Sequence, residues 1–141
     1  MRITRAQIEN LAEFRYALRQ FLRFSERAAR RAGLTPQQHQ LLLAIKGMPG
    51  RDWAVVTELA ERLQMSHHGT VALITRAQRL GLVRRQRGEV DRRTVEVRLT
   101  PRGEHTISRL AALHAAELGR QSRILRQRLE ELSSRMSSGA R

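Results

Sequence analysis

Two short stretches hold most of the residues able to do chemistry. The first is His67-His68-Gly69-Thr70, followed by Leu73 and Arg76. The second is Arg84-Arg85-Gln86-Arg87-Gly88-Glu89-Val90-Asp91-Arg92-Arg93. Neither pairs a nucleophile with a placed base, and Ser108, Ser122 and the tail serines stand no better, so no catalytic set is visible. Neighbouring helical residues such as His67 and His68 point about 100° apart and chelate one ion poorly. His39, His105 and His114 show no paired ligand spacing, so no metal and no cofactor are expected. What remains is hydrogen-bonding capacity and positive charge at short intervals, the chemistry that grips a polyanion.

These residues need elements to hold them. Thr57-Glu58-Leu59-Ala60-Glu61-Arg62-Leu63 reads as a short helix, and Gln64-Met65-Ser66 as a turn. A second helix is expected from His67 to Leu80, capped by Ser66 and stopped by Gly81. Spacing of three puts Val71, Ile74 and Ala77 on its core face and leaves His67, His68, Gly69, Thr70, Leu73 and Arg76 near its start or outer side. Such positions reach base edges in a major groove. Gly69 allows close backbone approach, Thr70 suits a phosphate or a thymine methyl, and Arg76 a phosphate or guanine. After Leu82-Val83 the run Val95-Glu96-Val97-Arg98-Leu99 alternates like a half-buried strand, and Val83 and Arg85 can pair with it. Arg87, Gly88, Asp91, Arg92 and Arg93 then form the polar tip of a hairpin. An arginine on a thin hairpin fits a narrow minor groove, and a nearby aspartate can orient its guanidinium. Helix, turn, helix and basic hairpin make a winged helix-turn-helix, within a fold that is mainly α with a small β wing.

The flanks are helical. From Thr4 to Arg31, Ile8, Leu11, Phe14, Leu18, Phe21 and Leu22 recur at three and four, with Thr4 and Gln7 as a capping box and Gly33 as the stop. So apolar a stripe packs on the domain or on a partner chain. Thr35-Pro36 opens the next helix, with Leu41, Leu42, Ile45 and Met48 inward. Trp53 lies in a connector and reads as a core lid. Thr100-Pro101 opens a helix carried by Ile107, Leu110 and Leu113; Gly119 kinks or breaks it before a last helix carried by Leu125, Leu129 and Leu132. The tail from 136 to 141 is expected to be flexible.

The 141 residues suit one domain with arms. Formal charge is +14, from 27 basic and 13 acidic residues, and Lys46 is the only lysine. Arginine over lysine reflects a GC-rich genome; the surplus itself points to nucleic acid. The absence of cysteine excludes disulfides and thiol redox sensing. No apolar run approaches the ~18 residues of a membrane span, and no secretory leader is visible, so a cytoplasmic protein with no membrane partner is expected.

Leu59-Ala60-Glu61-Arg62-Leu63, Val71 to Arg76, Gly81-Leu82-Val83, Asp91-Arg92-Arg93 and Leu99-Thr100-Pro101-Arg102-Gly103 together resemble the MarR family of bacterial transcription regulators. The resemblance spans roughly 8 to 132. It implies a two-fold homodimer in which N- and C-terminal dimerisation helices (1–33 and 101–135) flank a DNA-binding part (34–100) of a single 1–141 domain. It also implies that Asp91 and Arg93 enter the minor groove of double-stranded DNA and that His67 to Arg76 read the major groove of a palindromic operator. Relatives bind small aromatic acids beside the first two helices, which makes Arg15, Tyr16 and His39 candidates for an aromatic or anionic effector that releases a repressor. Three departures stand out: Gln64 where glycine is common, Ala77 where leucine is common, and Val55 where a Ser or Thr cap is frequent. The alternatives are a ligand-independent architectural DNA-binding protein and an RNA-binding winged helix.

Overall fold

The computed structural model describes residues 2–138, without the side chains of 132 and 135–138. The order is α1 (Arg5–Arg31), α2 (Pro36–Lys46), β1 (Trp53–Ala54), α3 (Val56–Leu63), α4 (His67–Arg79), β2 (Val83–Arg87), β3 (Val95–Leu99) and α5 (Pro101–Ser138). Local chemistry sets most boundaries. Thr4 and Gln7 cap α1 reciprocally, at 3.2 and 2.7 Å. Gly33 ends it with φ +79°, a value a side chain would resist, and lets the Leu34 N–H reach the Ala29 carbonyl at 2.9 Å. Thr35 and Gln38 form the capping box of α2, with Pro36 in its first turn.

The chain divides into two compact units. Residues 28–112 form the first. Its core gathers Leu41, Leu42 and Ile45 of α2, Leu59 of α3, Leu73 and Ile74 of α4, Val83 and Val97 of the sheet, and Ile107 and Leu110 of α5. Each such side chain contributes roughly 1.5–3 kcal/mol by leaving water. The unit reaches beyond 34–100 because Ala28, Ala29, Ile107 and Leu110 pack into the same core. The sheet is antiparallel in the order β1-β3-β2, with Val83 opposite Leu99 and Arg85 opposite Val97.

Two sequence expectations change here, and one glycine gains an explanation. Val95 is exposed and Glu96 buried, because Arg98 takes the Glu96 carboxylate at 2.8 Å and Asp52 at 3.1 Å. Trp53, half-buried, lies under the Arg51 guanidinium at 4.2 Å. Gly103 has a structural cause: a Cβ there would collide with the Leu82 carbonyl, where α5 begins against the end of the α4 turn. Thr100 fixes that junction, donating to the Gly81 carbonyl at 2.5 Å and accepting from the Gly103 N–H at 3.0 Å.

The second unit is the rest of α1 with the rest of α5. The two helices run antiparallel: Ser25 meets His114 at 2.8 Å, and Asn10 meets Arg128 at 3.2 Å. Phe21 and Phe24 approach the His114 ring edge-on, at 5.9 and 5.4 Å. Gly119 does not break the chain into two helices; α5 is continuous to Ser138. A helical glycine costs only about 1 kcal/mol, which strong formers on either side carry. Of the tail expected at 136–141, residues 136–138 are the last of α5, and 139–141 lie outside the described residues.

Candidate nucleic-acid interface

α3, the turn and α4 are built by caps. Val55 cannot cap α3 with its side chain, so Glu58 takes over, accepting from the Val55 N–H at 3.1 Å. Burial raises the Glu58 pKa, but the Arg51 and Val55 hydrogen bonds and the charges of Arg51 and Arg62 outweigh it, and the carboxyl ends below its ordinary range. Gln64 closes α3 in the left-handed region at φ +51°. Its side-chain amide donates to the Glu61 carbonyl at 2.7 Å. Ser66 then caps α4, its Oγ accepting from the Gly69 N–H at 3.0 Å. At Gly69 a Cβ would lie 3.0 Å from that same Oγ, so the glycine serves the cap.

The faces of α4 differ from the spacing argument. Its buried residues are Thr70, Leu73, Ile74 and Ala77. Thr70 is fully buried and its hydroxyl donates to the Ser66 carbonyl at 2.8 Å; Leu73 is 1 % exposed. Both leave the set of outward-facing candidates. The inward stripe repeats at three and four, whereas a strict spacing of three drifts off the helix face. Val71 is correspondingly only half-buried. His67, His68 and Arg76 are exposed, as expected, and Gly69 is partly so.

The wing holds its arginines outward. At the neck the Gly88 N–H donates to the Thr94 carbonyl at 2.9 Å, and the Thr94 N–H to the Asp91 carbonyl at 3.1 Å. A Cβ on Gly88 would stand 2.6 Å from the Asp91 carbonyl oxygen, so this turn requires glycine. Asp91 accepts from the Arg93 backbone at 3.0 Å and from its guanidinium at 3.2 and 3.5 Å. Those hydrogen bonds, the backbone one foremost, hold the Asp91 carboxyl below its ordinary range. The Arg93 side chain remains 93 % exposed. Arg87 and Arg92 are exposed beside it. From His67 to Thr94 there are seven arginines and only two acids.

A family model described as the MarR family matches residues 32–94, the span that carries this geometry. AbsC, a MarR family transcriptional regulator from Streptomyces coelicolor, matches with 25 % identity over 99 % of this chain and 95 % of its own, at a TM-score of 0.74. Over residues 32–94 and in its fold, the chain is similar to the MarR family. A second solved MarR-fold relative is the transcriptional repressor CouR, bound to a 23-mer DNA duplex, with 29 % identity, 90 % of this chain, 89 % of its own and a TM-score of 0.65. A MarR family protein from Bacillus stearothermophilus shares the fold at 21 % identity and a TM-score of 0.74, over 96 % of this chain and 99 % of its own. No curated protein sequence matches.

Asp91 and Arg93 form an Asp-x-Arg at the wing tip, the positions that the resemblance to the MarR family singled out. Two residues of the same surface escaped the sequence reading. Val90 is wholly exposed at the tip. Arg85 does more than pair with Val97: its guanidinium reaches α4, donating to Thr75 Oγ1 at 3.0 Å and to the Gln78 side chain. The available signal was period two in β2, since Arg85 shares the face of buried Val83 and so needs partners there. The effector candidates separate by unit. Arg15 and Tyr16 are exposed on α1, while His39 is 2 % exposed inside the unit of residues 28–112, its Nδ1 3.5 Å from Gln40 Nε2. Among the described residues no group of three His, Asp or Glu could hold a metal, and no helix is long and apolar enough to cross a membrane.

Proposed function

We propose that this protein is a homodimeric, sequence-specific regulator that binds palindromic double-stranded DNA through α4 and the wing. The observation that carries this is the tip: one arginine, held by an aspartate through backbone and side chain, stands almost fully exposed on a narrow hairpin. His67, His68 and Arg76 meet the major groove; Arg87, Asp91, Arg92 and Arg93 meet the minor groove and its flanking phosphates. The N-terminus of α4 adds attraction for phosphate. The homodimer is supported by the α1–α5 unit, where Ile8, Leu11, Ile124 and Leu129 are half-exposed and available to a partner chain. Repression is supported by likeness to CouR. Release by a small aromatic or anionic effector rests on family likeness, with Arg15 and Tyr16 as its contacts. A bacterial regulator of this kind works in the cytoplasm, where the chromosome is.

Competition between duplex DNA and duplex RNA of one sequence tests the nucleic-acid class. A-form RNA has a deep, narrow major groove that α4 cannot enter. DNA is expected to displace RNA; equal competition would assign the basic surface to generic polyanion binding.

A further inference from the structure

We propose that Arg85 is a positioning residue that sets the wing at a fixed distance from α4, and that this strut governs how sharply the protein discriminates one duplex sequence from another. The inference rests on the DNA-binding reading above and deepens it. Arg85 leaves β2 on the same face as buried Val83 and crosses to α4. Its guanidinium donates to Thr75 Oγ1 at 3.0 Å, to the Gln78 side chain, and at the long limit to the Val71 carbonyl at 3.5 Å. Residues 71, 75 and 78 lie at i, i+4 and i+7, so one planar fork spans two turns along a single side of the helix. Lysine carries the charge but lacks that geometry.

All three acceptors are neutral. Arg85 forms no ion pair among the described residues, so the strut holds the wing without cancelling positive charge beside the DNA-facing surface. Beyond Arg85 the hairpin is held by its own ladder and by the bonds at Gly88 and Thr94. The turn at Gly88 lies about 10 Å further along the strand, so a small swing at the base becomes a larger displacement at Arg93. A duplex that engages both grooves needs α4 and the tip at one separation. A loose wing must be ordered on binding, a cost that falls on the matched duplex, where both elements engage. Charge-driven binding to arbitrary sequence does not require that registration.

The test compares Arg85→Lys, Arg85→Met and Thr75→Val with the wild-type full chain, on the duplex selected by wild type from a random pool and on a mixed-sequence duplex at equal salt. Arg85→Lys and Thr75→Val are each expected to lower affinity for the selected duplex about tenfold. Affinity for the mixed duplex stays within about twofold and the salt slope is unchanged. The double variant Arg85→Lys with Thr75→Val loses no more than either single one. Native-state hydrogen exchange at the Gly88 and Thr94 amides should quicken in both single variants. If Arg85→Lys binds like wild type, Thr75→Val changes nothing, and Arg85→Met lowers the salt slope by about one, Arg85 is a phosphate contact and the proposal is overturned. If wild type selects no duplex, the DNA-reading function falls separately. Hydrogen exchange then decides the strut alone: quickened amides uphold it and unchanged amides overturn it.

Discussion

Asp91 and Arg93 lie two positions apart, and their roles differ. The aspartate accepts both the Arg93 backbone N–H and its guanidinium, so the arginine loses freedom before any partner arrives. Arg93→Ala is expected to weaken DNA binding strongly and to reduce the salt slope by about one, read by titration at several salt concentrations. An unchanged slope would move the phosphate contacts elsewhere. The lowered Asp91 pKa sets a pH window. Its carboxylate stays charged through and below the ordinary aspartate range, so its hold on Arg93 persists at neutral and mildly acid pH and is lost only as pH falls through the lowered value. Leu73 behaves differently, being buried in the core. Leu73→Ala should lower unfolding stability by about 2–5 kcal/mol in denaturant titration, with base preference unchanged in the folded fraction. His68, exposed on α4, should alter sequence preference when substituted; equal losses on all sequences would make it a phosphate contact.

At the scale of elements, the turn between α3 and α4 is the strained place. Gln64 occupies the left-handed region, and Gln64→Gly should raise stability by up to about 1 kcal/mol, read as a higher melting temperature. A lower one would mean that the Gln64 amide bond to Glu61 outweighs the strain. Glu58 makes α3 depend on pH. Its folded pKa is lowered, so its contribution is present above the ordinary glutamate range and lost as pH falls through the lowered value. Glu58→Gln should therefore lower the melting temperature at neutral pH and converge with wild type in acid. Caps and glycines made most element boundaries legible: Thr4, Thr35, Ser66, Thr100, Gly33 and Gly81 all stand at the ends they signalled. Three features were not legible for the same physical reason, dependence on tertiary partners. Thr70 and Leu73 turn inward because the α4 stripe repeats at three and four against a core that local spacing does not reveal. Glu96 is buried because Arg98 lies beside it on a central strand. Arg85 reaches α4 only once the hairpin folds back. The continuous α5 shows the reverse case, a glycine signal overridden by its neighbours.

At the scale of the molecule, charge and apolar surface divide the labour. Between His67 and Thr94 the arginine surplus presents positive charge on α4 and the wing, while the α1–α5 unit leaves leucines and isoleucines half-exposed. An isologous interface across those residues would give two copies of the reading surface related by a two-fold axis. Sedimentation is expected to report twice the 16.2 kDa chain mass, and Leu129→Glu to weaken the assembly while each chain stays folded. A stable monomer would remove the basis for a palindromic site. The most direct measurement is selection of bound duplexes from a random pool by the full chain. The predicted result is a two-fold symmetric consensus with half-sites about one helical turn apart, ~34–36 Å centre to centre. Recovery of unrelated sequences with no shared consensus would contradict the claim that α4 and the wing read DNA sequence.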